Sequence, residues 1–231
     1  ARRAALATAA AECGARDILL AHTLDDQAET VLLGLARGSG AASLAGMAPV
    51  RDADQTGDER GDTAAVRWIR PLLTVRRDTT RAACEAAGLT PWHDPHNDDP
   101  AYARVRARRR VLPVLEAELG PGIAEALART AEQLREDATA FDAMVDETVA
   151  DIVEHTEAGI AVSAVALAAN PAALRHRIIR HVVASEFHVS LSRTQTLAVS
   201  RLVTDWTGQG PIDLPGCRAS RAGGRIAFTA V

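Results

Sequence analysis

No lysine occurs among the 231 residues, so every one of the 26 fixed positive side chains is an arginine. General-base and Schiff-base lysine chemistry is thereby excluded within the chain, while planar, permanently protonated forks suited to phosphate are plentiful. A GC-rich genome produces the same bias toward alanine and arginine, and that accounts for most of the missing lysine. Cysteine is scarce too. Cys13, Cys84 and Cys217 are odd in number and widely separated, which excludes a disulfide framework or a Cys-x-x-Cys metal or redox site and points to a reducing cytoplasm. No apolar run approaches the roughly 20 residues that span a bilayer, and the first residues lack the charged, apolar and small-residue order of a signal peptide. No membrane partner is expected. A net charge of −4 argues against blanket adhesion to nucleic acid, which leaves the placement of the arginines as the informative quantity.

What is present is ordinary in bulk: 47% hydrophobic and 24% charged residues, in a length that suits one large domain or two smaller ones. The stretch "DILLAHTLDDQAETVLLGLARGSG", residues 17–40, is where information first concentrates. Ile18, Leu19, Leu20 and Ala21 form a short apolar run of the kind a buried parallel strand shows. Val31, Leu32 and Leu35 then fall at helical spacing, and Asp26 with Glu29 three residues on makes a capping box. The segment reads as strand, turn, helix. In open α/β sheets ligands sit outside the carboxyl ends of strands, which places His22, Asp25 and Asp26 in such a crevice. An aspartate before a helix is most often only a cap, contributing about 1 kcal/mol, and a lone histidine is most often structural. One helix start needs only one cap, however, and the Asp25–Asp26 pair with Gln27 and the Gly38–Ser39–Gly40 exit favours a functional reading.

Along the chain, residues 1–16 read as a helix ended by Gly14, residues 51–64 as an exposed acidic loop, and "AVRWIRPLL" as a strand closing on Pro71. "VRRDTTRAACEAAGL" reads as a helix with Gly88 as its C-terminal cap. This alternation is that of a parallel α/β sheet. In "PWHDPHNDDPAYARVRARRRVLPVLEAELG" an ordered turn around residues 94–100 precedes a helix on which Arg104 and Arg108, four apart, share one face. With Asp94 and Asn97 just upstream, that pair suits phosphate or a nucleotide backbone. For Arg106, Arg109 and Arg110 a solvated face neutralised by Glu116 and Glu118 is an equal alternative. Beyond Gly120–Pro121–Gly122 the pattern turns helical over residues 123–155, with Leu127, Leu134, Phe141, Met144, Val145 and Val149 apolar and no strand signal. Leu174, Ile178, Ile179 and Val182 point inward on a further helix, "RTQTLAVSRLVTDW" supplies one more, and the end reads as a β-hairpin around Gly223–Gly224. The expected division is 1–119, an α/β parallel-sheet domain, and 120–231, a mainly α-helical domain with a short β-hairpin tail.

Three blocks in order, "HTLDDQAETVLLGLARGSGAASLAGM", "RPLLTVRRD" and "WHDPHNDDPAYARVRARRRVLPVL", resemble the signatures of the tRNA(Ile)-lysidine synthetase family of PP-loop ATPases. The resemblance is close over residues 1 to about 118 and weaker over the helical remainder. It implies a Rossmann-like PP-loop fold for residues 1–119 and a tRNA- and substrate-binding role for 120–231. The implied reaction uses ATP to activate the C2 oxygen of cytidine 34 in the CAU anticodon of tRNA(Ile); free L-lysine then attacks C2 and expels AMP. It implies ATP and Mg2+ as cofactors, with Asp26 and Asp25 as hard oxygen ligands, Asp26 foremost for the metal. Arg104, Arg108, Asn97 and Asp94 would contact substrate or tRNA; His22, Gly38, Ser39 and Gly40 would contact the nucleotide, His22 by hydrogen bonding. A homodimer is possible. Two departures stand out. The family's Ser-Gly-Gly-x-Asp-Ser loop is absent, since 21 residues precede His22, so the chain is expected to be a fragment that alone binds ATP poorly and makes no lysidine. Where the family has Arg-Asn, this chain has Arg104–Val105. The rival readings are a tRNA 2-thiolation enzyme of the same superfamily, which commonly uses cysteines, and a non-catalytic helical tRNA-binding module.

Overall fold

A computed structural model describes residues 2–38, 40–51, 66–156 and 159–231. Its contacts group into two compact units, residues 1–138 and 139–231. The division falls inside a helix, downstream of the Gly120–Pro121–Gly122 break at which the composition changes. Most of the acidic loop expected over 51–64 lies outside the described residues. No described helix is long and apolar enough to cross a membrane.

The first unit begins with α1 (Arg2–Glu12), which ends where Gly14 turns into the left-handed region at φ +67°, and runs into β1 (Asp17–Leu19). Helices α2 (Leu24–Ala36) and α3 (Ala41–Leu44) precede β2 (Val50–Arg51) and β3 (Arg67–Ile69). The strands form a sheet in the order β1-β3-β2, with β1 and β3 parallel (Ile18 opposite Trp68) and β2 antiparallel to β3. Leu20 N donates to Ile69 O at 2.8 Å, carrying the parallel ladder one step toward His22. The carboxyl ends of β1 and β3 therefore lie side by side, and His22 and Arg70 follow directly from them. Ile18 packs with Ala10, Val66 and Trp68 in a small core. Leu19, part of the run read as buried, is 67% exposed, because successive strand side chains point to opposite faces.

Helix α4 (Arg77–Ala86) ends as the sequence indicates: Gly88 adopts φ +68°, and Leu89 N reaches back to Cys84 O at 2.9 Å, closing the last turn. A 3-10 turn at Pro95–Asn97 follows, then α5 (Ala103–Arg106), a π-turn at Ala107–Val111, α6 (Leu112–Leu119) and α7 (Ile123–Ile152). The π-turn has a local cause. Pro113 has no N–H to offer the Arg109 carbonyl and its ring crowds that oxygen, so the chain widens one turn earlier, with Leu112 N bonding Ala107 O.

The second unit takes the end of α7, then β4 (Val153–Thr156), β5 (Gly159–Ser163), α8 (Ala164–Ala169), α9 (Ala172–Phe187), α10 (Arg193–Thr204), β6 (Ile212–Leu214), β7 (Cys217–Ala222) and β8 (Arg225–Ala230). The hairpin at Gly223–Gly224 is present, both glycines at positive φ as a two-residue primed turn requires. It is more than a tail: the five strands form one antiparallel sheet, ordered β4-β5-β8-β7-β6. Three of its strands lie outside the expected hairpin, β6 and two others that the sequence hides for a physical reason. Ile160, Ala161 and Val162 are all buried, so β5 shows no alternation, and β4 continues directly from the helical pattern of α7. The core is the inner faces of this sheet and three helices: Ile226 and Phe228 alternate inward on β8 against Leu167, Ile178, Ile179, Val182 and Leu202. Each fully buried aliphatic or aromatic side chain there contributes roughly 1.5–3 kcal/mol.

Candidate active site

The start of α2 is capped by Thr23 rather than by Asp26 with Glu29. The Thr23 N–H and hydroxyl both donate to Asp26 Oδ2, at 2.9 and 2.8 Å, while Asp26 N donates back to the Thr23 hydroxyl at 3.4 Å. Glu29, expected as the capping partner, is instead fully buried one turn further on. It sits under three guanidinium groups. Arg108 donates to it from Nε (2.6 Å) and Nη2 (3.2 Å), Arg77 from Nη2 (3.2 Å) and Arg104 from Nη1 (3.4 Å). Arg77 also bonds Asp26 Oδ1 at 2.8 Å, and Arg108 lies 3.5 Å from the same oxygen. Asp25 takes the first backbone N–H of α4, Arg77 N, at 2.7 Å and pairs with Arg76 at 3.3 Å. Two carboxylates on one turn of α2 and a third on the next thus tie three segments together: the start of α2, the start of α4, and the helix carrying Arg104 and Arg108.

These groups border a polar cavity of about 470 Å3, lined among others by Asp26, Arg77, Arg81, Asn97, Arg108 and Arg109. Burial alone raises the Asp26 pKa, but the Thr23 donors, Arg77 and Arg108 outweigh it and hold the carboxyl below the ordinary aspartate value. Arg108 is shifted upward, chiefly by its hydrogen bonds to Glu29. His22 is half-buried and its pKa is lowered, first by burial; Asp26 opposes this, and Arg70, Arg104 and Arg3 reinforce it. Its Nδ1 is buried and has no hydrogen-bond partner among the described residues, and His22 is not one of the residues that line the cavity. The carboxylates decide whether magnesium fits. Both Asp26 oxygens and both Asp25 oxygens already face N–H, hydroxyl or guanidinium donors, and no group of three potential metal ligands occurs among the described residues. These residues do not fit a metal site, and no step is derived through one.

Residues 1–115 match the PP-loop domain family and residues 163–227 match the TilS substrate binding domain family. A tRNA(Ile)-lysidine synthase from Leifsonia xyli subsp. xyli is 58% identical over 99% of this chain and 65% of its own length. The chain belongs to the tRNA(Ile)-lysidine synthase family. Relatives of the same name from Thermobifida fusca and Streptomyces coelicolor are each 47% identical, over 96% and 98% of this chain and 64% and 61% of their own lengths. The chain thus spans 55–65% of the length of the curated relatives it matches. Among solved structures, the U34-tRNA thiolase NcsA from Methanococcus maripaludis is similar over 58% of this chain and 41% of that chain, at 23% identity and a TM-score of 0.43.

Within the family's first domain, the structure gathers Asp25, Asp26, Asn97 and Arg108 around one cavity, and Arg104 joins them through Glu29. Asp94 is engaged locally, accepting from His96 N at 2.9 Å. Gly38 and Gly40 lie beyond the far end of α2, about 20 Å from His22 by the 1.5 Å rise of its 13 residues; Ser39 lies outside the described residues. The basic-face alternative also changes. Glu116 caps the start of α7 by accepting from Gly122 N at 2.7 Å and Ala124 N at 3.2 Å, while Arg109 pairs with Asp98 and Arg106 bonds Pro100 O and Ala101 O. Sequence reasoning missed Glu29 as the anchor, and Arg77, Arg81 and His93 as lining residues. Glu29 carried a signal: it stands three residues before Leu32, on that residue's face of the helix, and a charged side chain on an apolar face needs a buried partner. The cysteines are free, Cys13 exposed, Cys84 half-buried and Cys217 buried.

Proposed function

We propose that this chain serves, within the full-length gene product, in ATP-dependent formation of lysidine at cytidine 34 of tRNA(Ile) bearing a CAU anticodon. The observation that carries the reading is the set of arginines pre-fixed by Glu29, Asp25 and Asp26 beside a polar cavity at the carboxyl end of the β1–β3 pair. In the first step the cytidine C2 oxygen bonds the α-phosphorus of ATP and pyrophosphate leaves. In the second the lysine amine bonds C2, the C2–O bond breaks and AMP departs. Both departures shed negative charge, and guanidiniums already held in place stabilise it without reorganising. Arg77 and Arg108 supply that fixed field, and Arg81 and Arg109 stand at the same cavity for phosphate or RNA backbone. His22, just past the carboxyl end of β1 and with its pKa lowered by burial, is read as a group that helps orient the nucleotide rather than as a proton shuttle. Asp78, also lining the cavity, suits the incoming lysine ammonium.

Full-length gene product incubated with ATP, radiolabelled lysine and unmodified tRNA(Ile) is expected to incorporate label only when all three are present. Failure to incorporate lysine, together with sulfur transfer to the same tRNA, would move the assignment to a thiolation enzyme; tRNA binding with neither reaction would leave a binding module.

A further inference from the structure

Only 3% of the residues are aromatic by Phe, Trp and Tyr, and two of these few are left in solvent on one loop. Trp92 is 81% exposed and Tyr102 is 50% exposed, at opposite ends of the loop that leads into α5. By contrast Trp68 is buried at 9%. The loop between them is held rigidly. Asp94 accepts from His96 N and meets His96 Nδ1, both at 2.9 Å, while Asp99 accepts from Ala101 N at 2.8 Å. Arg106 clamps the carbonyls of Pro100 and Ala101 at 2.7 Å each, and His93 and Arg109 both reach Asp98. The Tyr102 ring is itself positioned edge-on by His96, centroids 6.1 Å apart at 61°. Large rings left in water on a backbone that is already ordered lose little further entropy on binding, the condition for a preorganised contact surface.

The surroundings decide what such rings are for. His93, the neighbour of Trp92, and Asn97 line the same cavity as Arg108 and Arg109. An aromatic face beside cationic forks is the combination that holds unpaired nucleotides, with bases stacking on rings and phosphates on guanidiniums. Of the loop's aspartates, Asp98 is paired with Arg109 of the π-turn, and Asp94 and Asp99 accept backbone N–H groups of the loop. A protein partner would call for a contiguous apolar patch, whereas residues 93–99 are, apart from Pro95, all histidine, aspartate or asparagine.

We propose that Trp92 and Tyr102 form a stacking platform for the unpaired bases that flank the modified cytidine in the anticodon loop. The platform rests on the tRNA reading above and adds to it the residues that hold the loop's bases splayed. Trp92 and Tyr102 are positioning residues.

The test uses full-length gene product and the anticodon stem-loop RNA of tRNA(Ile). Trp92→Ala and Tyr102→Ala are each expected to weaken binding about 5- to 150-fold, the range that loss of one base-aromatic stack produces. Trp92→Phe should keep most of the affinity, and the unfolding midpoint of Trp92→Ala should match wild type, since the ring is mostly in water. Addition of RNA should quench tryptophan fluorescence in wild type and fail to do so in Trp92→Phe, although Trp68 and Trp206 remain. Wild-type affinity in both alanine variants, or a quench that survives Trp92→Phe, overturns the platform while lysidine formation by the wild type keeps the enzyme reading intact. If the wild-type protein neither binds the RNA nor makes lysidine, both readings fall together.

Discussion

Glu29 is the residue on which the arginine cluster depends. Its side chain is fully buried while Arg77, Arg108 and Arg104 approach it from three positions. Replacing it by glutamine keeps the shape and removes the charge, which leaves converging guanidiniums without their counter-ion. Breaking a buried pair this way costs about 3–5 kcal/mol, and partial solvent screening of Arg104 places the expected loss toward the lower figure, about 3 kcal/mol. Urea unfolding of Glu29→Gln checks this; a loss under about 1 kcal/mol, the value of an exposed pair, would contradict it. Two neighbours contribute to the acid limb, alongside Asp94, Asp98, Glu116 and His176, whose pKa values are lowered too. Asp26 is held below its ordinary 3.8 in the folded chain, so its contribution is complete above that value and lost as pH falls through the lower, folded one. His22 is lowered from 6.5 by burial, so the unfolded chain takes up its proton first and stability declines as pH drops below 6.5, until the folded imidazole also protonates. His22→Gln should therefore flatten the stability profile just below 6.5 and Asp26→Asn the profile below 3.8, both measured by denaturant midpoints across pH.

At the scale of elements, the connection from α3 to β2 is held by Arg135 at Ala45 O (2.5 Å), Arg70 at Ala48 O (2.7 Å) and, between them, a side chain from α2. Gln27 is buried and bonds Met47 at both backbone groups, N at 2.8 Å and O at 3.0 Å, as a neighbouring strand would. Gly46 makes room for it: at φ +63° an added Cβ would lie 2.7–2.9 Å from the Gln27 amide atoms. Gly46→Ala is expected to lose about 2 kcal/mol or more, through both strain and overlap. Gly14→Ala, at φ +67° but with nothing within 4 Å, carries only the conformational part, about 1 kcal/mol. Equal losses in a thermal-melt comparison would remove the packing argument. Elements of this kind were unevenly legible in the sequence. Helices with a clear stripe or a glycine stop, α4 and α9 among them, and the Gly223–Gly224 hairpin were readable because the signal is local. The strand β5 was not, since its meaning lies in pairing with β8, and neither was the Glu29 cluster, since Arg77 and Arg108 are 48 and 79 positions away. The acidic pair of α2 and the Arg104–Arg108 face were each visible separately. That they neutralise one another became visible only when α2 and the π-turn were packed together.

At the scale of the whole molecule, that mutual neutralisation changes what the arginines can offer to RNA. The chain carries a net charge of −4, so affinity for a polyanion has to come from the few guanidiniums with donors to spare. Arg108 spends Nε and Nη2 on Glu29 and is about a quarter exposed, whereas Arg104 is 43% exposed and is held through longer contacts of 3.1–3.4 Å. On the proposed function, the two should separate in a salt titration of tRNA binding to the full-length gene product. Each phosphate neutralised contributes a slope of about −0.7 to −0.9 in log K against log salt. Arg104→Ala is expected to make the slope shallower by roughly that amount while unfolding stability stays within about 1 kcal/mol of wild type. Arg108→Ala is expected to do the reverse, leaving the slope close to wild type and lowering stability by about 1.5–3 kcal/mol, because the buried Glu29 loses the two hydrogen bonds from Arg108 and keeps only those from Arg77 and Arg104. A slope that responds to Arg108 and not to Arg104 would mean that RNA displaces the buried carboxylate pair, and that the cluster opens when substrate binds.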